Sequence, residues 1–504
     1  MNERVSLLTG VEAMPRLPKG WVYARIKDIC DLINGRAFKP SEWSSTGLPI
    51  VRIQNLNNPD ADFNYCNFQV ADKFLIDSGQ LLFAWSGTPE TSFGAHIWNK
   101  GKAALNQHIF RVEIREDYLA KRFIMHLFNH NVSEYIKKAH GTAGLAHITK
   151  GHFENSVVSI PPLNEEHRIA SKLEELFTKL DAGVKSLQTV KAQLKRYRQS
   201  VLKSAFEGRL TEAWRRIHKD ELEPASKLLE RIREERRNET KKRKILSPVD
   251  ATDLPELPEG WIWTRVGEVV TRIQYGSSEK ATEDASGVPV LRMGNIQEGS
   301  LIFEDLKYYP EGQPQLNDFM LDPGDVLFNR TNSAELVGKT AVYEHWHPQA
   351  TFASYLIRAK VNDRIYDPHI LAFFINSYYG RRYIASVVSQ QVGQANVNGT
   401  KLSAMQIPFP SLPEQKAIAE EIKRHFSIVD YVEKTISNSS RQAEKLRQSI
   451  LKLAFEGKLV SQDPSDEPAS VLLERIKSLK VQMEQDQKTR KGRKTNDRKQ
   501  RRLT

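Results

Sequence analysis

The chain has 504 residues, which is enough for two to four domains. Its two cysteines, Cys30 and Cys66, stand in no ligand-like spacing, which argues against a disulfide framework and a structural zinc site. No apolar run approaches the ~18–20 residues of a membrane helix, and residues 1–15 lack the basic start and apolar core of a signal peptide. We therefore expect a cytoplasmic protein with no membrane partner and no metal site.

The net charge is strongly basic. The chain holds 74 Lys and Arg against 62 Asp and Glu, which gives +12 at pH 7 and an isoelectric point of about 9.3. Such an excess favours a polyanionic partner, most simply nucleic acid. The alternative is a solvated surface with basic tails, so charge alone leaves the partner open.

Residues 1–160 are predicted to form an α+β domain. Short β-branched or aromatic runs such as 49–53 and 81–85 are bounded by Gly, Pro, Asn and Asp, as strands are. A helical stretch, 117–128, follows late in this domain, and residues 255–408 repeat the same pattern. Strands early and helices late favour an α+β architecture in two tandem domains.

A long helix is predicted after each domain, at 161–210 and at 409–460. In both helices apolar residues recur at positions a and d of five heptads, interrupted by Gly183, His425 and Ser439. We expect the two seams to pair as an antiparallel coiled coil with a pseudo-two-fold, which would place the domains at opposite ends of a rod of ~60 Å. Parallel pairing stays open, because residues 211–254 are long enough to run back. The predicted interface residues are Leu173, Leu180, Leu187, Leu194, Val201, Ile422, Val429, Ile436 and Ile450.

Two charged segments complete the chain. Residues 211–254 are predicted to be a basic linker, and residues 461–504 a basic C-terminal tail. The tail is interpreted as solubilising, with extra phosphate contact as the alternative.

The chain is an internal duplication. Residues 161–210 match 410–459 at a fixed offset of 249, with 19 of 50 positions identical. Both domains open with Leu-Pro-x-Gly-Trp, and both charged segments contain Glu-Pro-Ala-Ser-x-Leu-Leu-Glu-Arg-Ile. A period this long indicates duplicated domain-plus-helix units rather than a solenoid. Between these shared motifs the two halves differ freely in sequence. We therefore predict two related domains with the same function and different targets.

Candidate DNA contacts lie in matched loops of the two domains. Arg pairs with guanine, while Asn and Gln pair with adenine, and glycine-bearing loops allow close approach to the phosphate backbone. Any one of these positions could be an ordinary turn residue, but the matched set favours DNA binding. The predicted set is Arg52, Gln54, Asn55, Trp85, Ser86, Thr142, Lys150, Arg292, Asn295, Asn329, Arg330, Thr331, Gln394, Asn396 and Lys401.

No catalytic residue is predicted. Gly338-Lys339-Thr340 resembles the end of a phosphate-binding loop, but the glycine required five residues before Gly338 is Ser333, and the following residues are typical of a strand. The amino-methyltransferase motif, a glycine-rich cofactor loop and a nuclease carboxylate cluster are all missing from the sequence. An enzyme that uses the Lys339 stretch is therefore the least favoured class.

Taken together, these motifs resemble the specificity (S) subunit of type I DNA restriction–modification enzymes. The likeness is carried by the Leu-Pro-x-Gly-Trp openings, the Pro-x-Leu-x-Glu helix starts and the Arg-Gln-Ser-(Val/Ile)-Leu-Lys helix ends, in the family's order over roughly residues 15–460. It implies two target recognition domains joined by two conserved helices in an antiparallel coiled coil. Each domain would read half of a split, asymmetric double-stranded DNA target.

The resemblance also implies partners and cofactors. The helices would set the gap between the half-sites and dock two methyltransferase (M) subunits, which bind S-adenosylmethionine. Restriction (R) subunits would complete an ATP- and Mg-dependent nuclease, while this chain itself holds no cofactor. The alternative class is a coiled-coil scaffold that binds nucleic acid without sequence preference, with affinity set by salt.

Overall fold

The structure is a computed structural model. It describes residues 14–58, 60–88, 91–137, 146–238, 249–252, 254–310, 312, 314–391, 394–482 and 485. Contacts divide the chain into two compact units: the first joins residues 1–186 to 439–504, and the second is residues 187–438.

The first domain alternates short strands with short helices. In chain order its elements are β1 (Val22–Arg25), α1 (Ile26–Ile29), β2 (Cys30–Asn34), β3 (Leu48–Val51), α2 (Ile53–Asn57), β4 (Asn64–Cys66), β5 (Leu75–Ile76), β6 (Leu81–Ala84), β7 (Ser86–Gly87), β8 (Gly94–Ile97), β9 (Ala103–Leu105), β10 (Ile109–Ile114), α3 (Lys121–His130), α4 (Val132–Lys137), β11 (Ala146–His147), α5 (Lys150–Asn155) and β12 (Val157–Ile160), with 3₁₀ turns at Pro40–Glu42 and Asp72–Phe74.

Two four-stranded sheets organise this domain. One has the antiparallel order β2-β10-β6-β8, and the other has the order β4-β3-β9-β5, in which β3 and β9 are parallel. Strand β6 is buried along its whole length, and α3 packs its aromatic face on the first sheet within one core. The apolar runs at 49–53 and 81–85 were predicted as strands, and they form β3 and β6 within two residues.

Helical elements follow. The first long helix is α6 (Leu163–Phe206), and after it come α7 (Glu212–Ile217), a 3₁₀ turn at Lys219–Glu221 and α8 (Ala225–Asn238).

The second domain repeats the first with longer loops. Its elements are β13 (Ile262–Arg265), α9 (Val266–Val269), β14 (Val270–Tyr275), β15 (Val288–Leu291), β16 (Ile296–Gln297), β17 (Ser300–Leu301), β18 (Lys307–Tyr309), β19 (Asp325–Asn329), β20 (Thr331–Asn332), β21 (Thr340–Val342), β22 (Thr351–Phe352), β23 (Leu356–Val361), α10 (Pro368–Asn376), α11 (Tyr378–Val387), β24 (Ser389–Gln391), β25 (Gln394–Asn396), α12 (Gly399–Ala404) and β26 (Gln406–Phe409), with 3₁₀ turns at Met293–Asn295 and Pro314–Phe319.

Its sheets correspond to those of the first domain. The order β14-β23-β19-β21 matches β2-β10-β6-β8, and the parallel pair β15·β22 matches β3·β9. The second long helix, α13 (Leu412–Phe455), follows, and after it comes α14, a helix over 469–482.

The two long helices pack together, and the predicted d positions face inward. The side chains of Leu173, Val201, Ile422, Val429, Ile436 and Ile450 are buried, whereas Leu180, Leu187 and Leu194 are half-buried. Three predicted a positions differ: Val190, Tyr197 and Leu446 are 37%, 43% and 51% exposed. A helix that packs on a single partner buries only a narrow stripe, so these residues lie at its margin.

Matching polar contacts join the helices within each unit. In the second unit Arg198 pairs with Asp430 and lies over the ring of Phe426 at 4.9 Å. In the first unit Arg447 pairs with Asp181 and lies over the ring of Phe177 at 4.3 Å. The two sets are the same three residue types displaced by the repeat offset of 249.

The charged segments contain helices that complete the domain cores. The predicted basic linker includes α8, which buries Ala225, Leu228, Leu229 and Ile232 in the core of the second domain. The predicted basic tail includes α14, which buries Ala469, Leu473 and Ile476 in the core of the first domain. Matching backbone bonds, Ala225 N to Gly260 O at 3.3 Å and Ala469 N to Gly20 O at 2.9 Å, start both helices. We call α8 and α14 the clasp helices.

Candidate nucleic-acid interface

The turn after β3 is built by an asparagine. Asn55 is buried; its Oδ1 accepts from Arg52 N at 3.0 Å, and its Nδ2 donates to the carbonyls of residues 61 and 62 at 3.2 and 3.0 Å. Gln54 beside it is exposed. The Asn55 amide is therefore committed to the loop, while Arg52 and Gln54 are positioned by it. Base contact by these residues stays a prediction.

The second domain builds the same turn. Asn295 is buried, accepts from Arg292 N at 2.9 Å and donates to the carbonyls of residues 302 and 304 at 2.9 and 3.0 Å. Unlike Arg52, Arg292 uses its guanidinium within the loop, because Nη2 donates to Asp305 O at 2.8 Å. The matched Arg and Asn positions are thus the frame of the turn in both domains.

Trp85 and Ser86 meet a distant loop of the first domain. Strand β7 pairs with β11, which places the Ser86 hydroxyl 2.7 Å from His147 Nδ1. The Trp85 ring stacks on Phe110 with centroids 5.4 Å apart, and its centroid lies 5.6 Å from that of His108. The pairing therefore brings residues 85–87 next to residues 146 and 147.

His108 connects this cluster to the turn after β3. Burial lowers the pKa of His108, and the nearby charges of His147 and Arg52 lower it further. A neutral imidazole keeps one nitrogen as acceptor and one as donor. We define the first reading face as Arg52, Trp85, Ser86, His108 and His147.

The remaining predictions in the first domain lie apart from this face or outside the described chain. Thr142 lies outside the described residues. Lys150 Nζ donates to Leu32 O at 2.8 Å and lies 3.5 Å from Glu154. The ammonium group therefore fastens the start of α5 to β2, and a phosphate contact by Lys150 stays a prediction.

The second domain holds a different set of side chains at the matching place. The Arg330 guanidinium lies over the Tyr275 ring at 4.8 Å, and Asn396 Nδ2 donates to Thr331 Oγ1 at 2.8 Å across β20·β25. Tyr355 beside them is 43% exposed. We define the second reading face as Tyr275, Arg330, Thr331, Tyr355 and Asn396.

Three other predicted residues surround this second face. Asn329 is fully buried, with Nδ2 donating to Met293 O at 3.3 Å. Gln394 is exposed at the start of β25. Lys401 Nζ donates to Val387 O at 2.6 Å and to Ser389 Oγ at 2.7 Å. Of the three, Gln394 alone is exposed.

A matching backbone hydrogen bond in each domain shows which residues of the two faces are equivalent. Trp85 N donates to His108 O at 3.2 Å, and Arg330 N donates to Tyr355 O at 3.0 Å. Arg330 thus stands where the first domain has Trp85, and Tyr355 stands where it has His108. The two domains thus share this backbone frame, whereas the side chains attached to it differ in chemistry.

Four residues of these faces were missed from the sequence: His108, His147, Tyr275 and Tyr355. Ser86 and His147 are 61 residues apart, and no local pattern marks such a pairing. The strand repeat could have placed His108 and Tyr355, because each stands immediately before the strand that pairs with β6 or β19.

Within the described part of the chain, no group of three or more His, Cys, Asp or Glu is placed to hold a metal ion. Gly338 N donates to Asn329 O at 2.7 Å, and Thr340 begins β21, so the Lys339 stretch is the predicted strand turn. Among the described helices, none is long and apolar enough to cross a membrane.

Comparison with known proteins identifies the family. The profile of the type I restriction modification DNA specificity domain matches residues 18–192 and 258–439. The chain is 26% identical to the EcoKI specificity subunit of Escherichia coli (strain K12), over 92% of this chain and 96% of that protein. It is 24% identical to the StySPI specificity subunit of Salmonella potsdam, over 92% and 96%.

A solved structure has the same fold. A chain from a study of complex assembly and conformational transition in the type I R-M system aligns with a TM-score of 0.63 at 18% identity, over 88% of this chain and all of that one. Together the two profile matches cover more than two thirds of the sequence, and each covers one domain and the larger part of the long helix that follows it. The chain therefore belongs to the type I restriction–modification DNA specificity family and carries two copies of its domain.

Proposed function

We propose that this chain is the non-catalytic subunit that gives a type I restriction–modification complex its DNA sequence specificity. Each reading face contacts one half of a split, asymmetric target. The observation that carries this proposal is the pair of specificity domains in one chain, with Trp85 and His108 in one where the other has Arg330 and Tyr355. Different side chains on one frame call for different half-sites.

We also propose that α6 and α13 pair antiparallel and set the gap between the half-sites. Arg198, late in α6, meets Asp430 in the first half of α13, whereas Asp181, earlier in α6, meets Arg447 late in α13. Reciprocal contacts between identical residue types support a two-fold relation. A helix of 44 residues spans about 66 Å, so the paired helices form a rod that is long enough to hold the two domains apart. Two domains on one rod meet the same face of the DNA when the half-sites lie about one helical turn, ~34 Å, apart.

The partners follow from the same proposal. Two methyltransferase subunits dock on the paired helices and bring S-adenosylmethionine, and restriction subunits bring the ATP- and Mg-dependent activities. The net charge of +12 supports binding to double-stranded DNA. This chain contributes recognition and geometry, and its partners contribute catalysis.

The test is to map adenine methylation in cells that express this chain with the methyltransferase subunit encoded with it. The expected result is methylation at one split, asymmetric motif, which disappears when this chain is omitted. Methylation without a motif from a well-folded complex would overturn the proposal in favour of a non-specific scaffold. The purified complex gives a second measure, since a scaffold binds all sequences with the same salt-dependent affinity.

A further inference from the structure

A polar cleft of about 590 Å³ opens beside the first reading face. Its walls come from the turn after β3, from residues 91 and 92, and from the turn that precedes β10. Five carboxamide side chains, one arginine and Trp43 line the cleft, and no Asp or Glu is among the lining residues. Among the residues that the structure describes, the cleft is thus rich in hydrogen-bond donors and acceptors and is lined by no anionic side chain.

Arg52 is held at the cleft without being neutralised. Its guanidinium lies over the Trp43 ring at 5.2 Å, and Trp43 is 39% exposed. No carboxylate among the described residues pairs with it, in contrast to Arg36, which is paired with Glu42. A guanidinium that stacks on an aromatic face keeps its edge free for a bidentate acceptor.

Gln107 is the second side chain that the structure orients at the cleft. It is exposed at the cleft, and its Nε2 lies 3.0 Å from His108 Nε2. The neutral imidazole accepts this bond, which orients the carboxamide and leaves its oxygen and its second N–H unused. A carboxamide with one free donor and one free acceptor matches the edge of adenine.

We propose that this cleft reads base edges of the first half-site through Arg52, Gln107 and the side-chain oxygen of Asn57, with Trp43 positioning Arg52. The Asn57 side chain is oriented for this role because its Nδ2 donates to Thr91 O. The inference rests on the proposed function and deepens it. Phosphate sites gather several cations or backbone N–H groups, whereas this cleft offers one cation and five carboxamides. The second domain has Gly294 and Ser354 where the first has Gln54 and Gln107, so the cleft's chemistry belongs to one half-site alone.

The experiment uses the complex of this chain with its methyltransferase subunits. Wild type and the variants Gln107→Ala, Asn57→Ala and Gln107→Glu are compared by methylation mapping and by binding to targets with single base-pair changes. Gln107→Glu keeps the size of the side chain and guards against a folding defect. Gln69→Ala is the control, since Gln69 is an exposed glutamine of the same domain that does not line the cleft.

The expected result is a loss of discrimination of about 5- to 150-fold at one or two base pairs of the first half-site. The second half-site and the gap stay unchanged, and Gln69→Ala behaves as wild type. Uniformly weaker binding with unchanged discrimination, or unchanged motifs in all three cleft variants, overturns the cleft inference and leaves the proposed function standing. A wild-type complex that methylates without a split motif overturns both.

Discussion

Glu166 occupies a place where its counterpart in the second unit is a glutamine. It is fully buried at the start of α6; Oε2 accepts from Ala120 N at 2.6 Å, while Oε1 has no partner. At the equivalent position, Gln415 accepts from Asp367 N at 2.8 Å and donates to the carbonyls of Ile365 and Pro410 at 3.1 and 2.9 Å. Both side chains hold the residue that precedes a domain helix.

The pKa of Glu166 is raised well above its usual range, first by burial, against the opposing hydrogen bond from Ala120 N. The folded chain therefore keeps a proton that the unfolded chain releases above pH of about 4.3. Between the unfolded and the folded pKa the native state binds more protons, so its stability falls as pH rises. Glu166→Gln removes this dependence and supplies the missing donor.

We expect Glu166→Gln to stabilise the first unit by about 1–3 kcal/mol at pH 8, because folding at that pH must either keep a proton on the buried carboxyl group or bury its charge, and a neutral amide has neither cost. At pH 4 the difference should nearly vanish, because both side chains are then neutral. Thermal unfolding is followed by circular dichroism from pH 4 to 8.5. At pH 8 the midpoint temperature of unfolding should be a few °C higher for the variant than for wild type. Hydrogen exchange at residues 157–170 assigns it to this site.

The reciprocal change is the matched control. Gln415→Glu should destabilise the second unit, and the loss should grow as pH rises. The substitution places a carboxylate against two carbonyl oxygens that accept hydrogen bonds from the Gln415 amide. Suppose instead that Glu166→Gln is less stable than wild type at pH 8 and that Gln415→Glu leaves stability unchanged. These two results would show that Glu166 is ionised and paired. The reasoning from the repeat would then be refuted.

Three further predictions follow from the helices and their ends. Inserting seven residues into both α6 and α13 lengthens each by about 10 Å, so the methylation map should show a gap longer by about three base pairs with both half-sites retained; an unchanged gap contradicts the proposed spacer. Ending the chain at 460 removes the buried side chains of Leu472, Leu473 and Ile476, which costs the first unit about 5–9 kcal/mol and should abolish recognition of one half-site, whereas a chain ending at 485 should keep both. Gly457→Ala should lower stability by at least about 1–2 kcal/mol in thermal unfolding, because Gly457 has φ +67° and a Cβ would lie 2.5 Å from Pro18, while Gly183→Ala, in an open stretch of α6, should raise it by about 0.5–1 kcal/mol; the reverse order contradicts this interpretation.

Local periodicity predicted the long helices closely. The predicted ranges 161–210 and 409–460 contain α6 and α13, since heptad spacing is a signal within the helices themselves. Gly208 and Gly457, both with positive φ, stand two residues beyond the helix ends. The a positions Val190, Tyr197 and Leu446 were less predictable, because exposure depends on how much of a helix its neighbour covers.

Long-range assembly was not predictable from local patterns. The clasp helices lie in segments whose charge suggested a linker and a tail, although Leu228, Leu229 and Ile232 already have the spacing of one helical face. The cleft joins residues from 38–61, 91–92 and 106–108, and only the paired strands bring them together. Of the predicted contacts, Asn55 and Asn295 are buried in their turns, which repetition in both domains could have indicated.

The division of the chain has a consequence for genetic exchange. The second unit is one continuous stretch, 187–438, that contains its reading face, its core and its clasp helix, whereas the first unit is assembled from both ends of the chain. Two genetic crossovers, one in the middle of each long helix, would replace the second unit as a whole. Neither crossover would separate the strands of a sheet. New DNA specificities can thus arise by exchange of a folded cassette, without redesign of the rest.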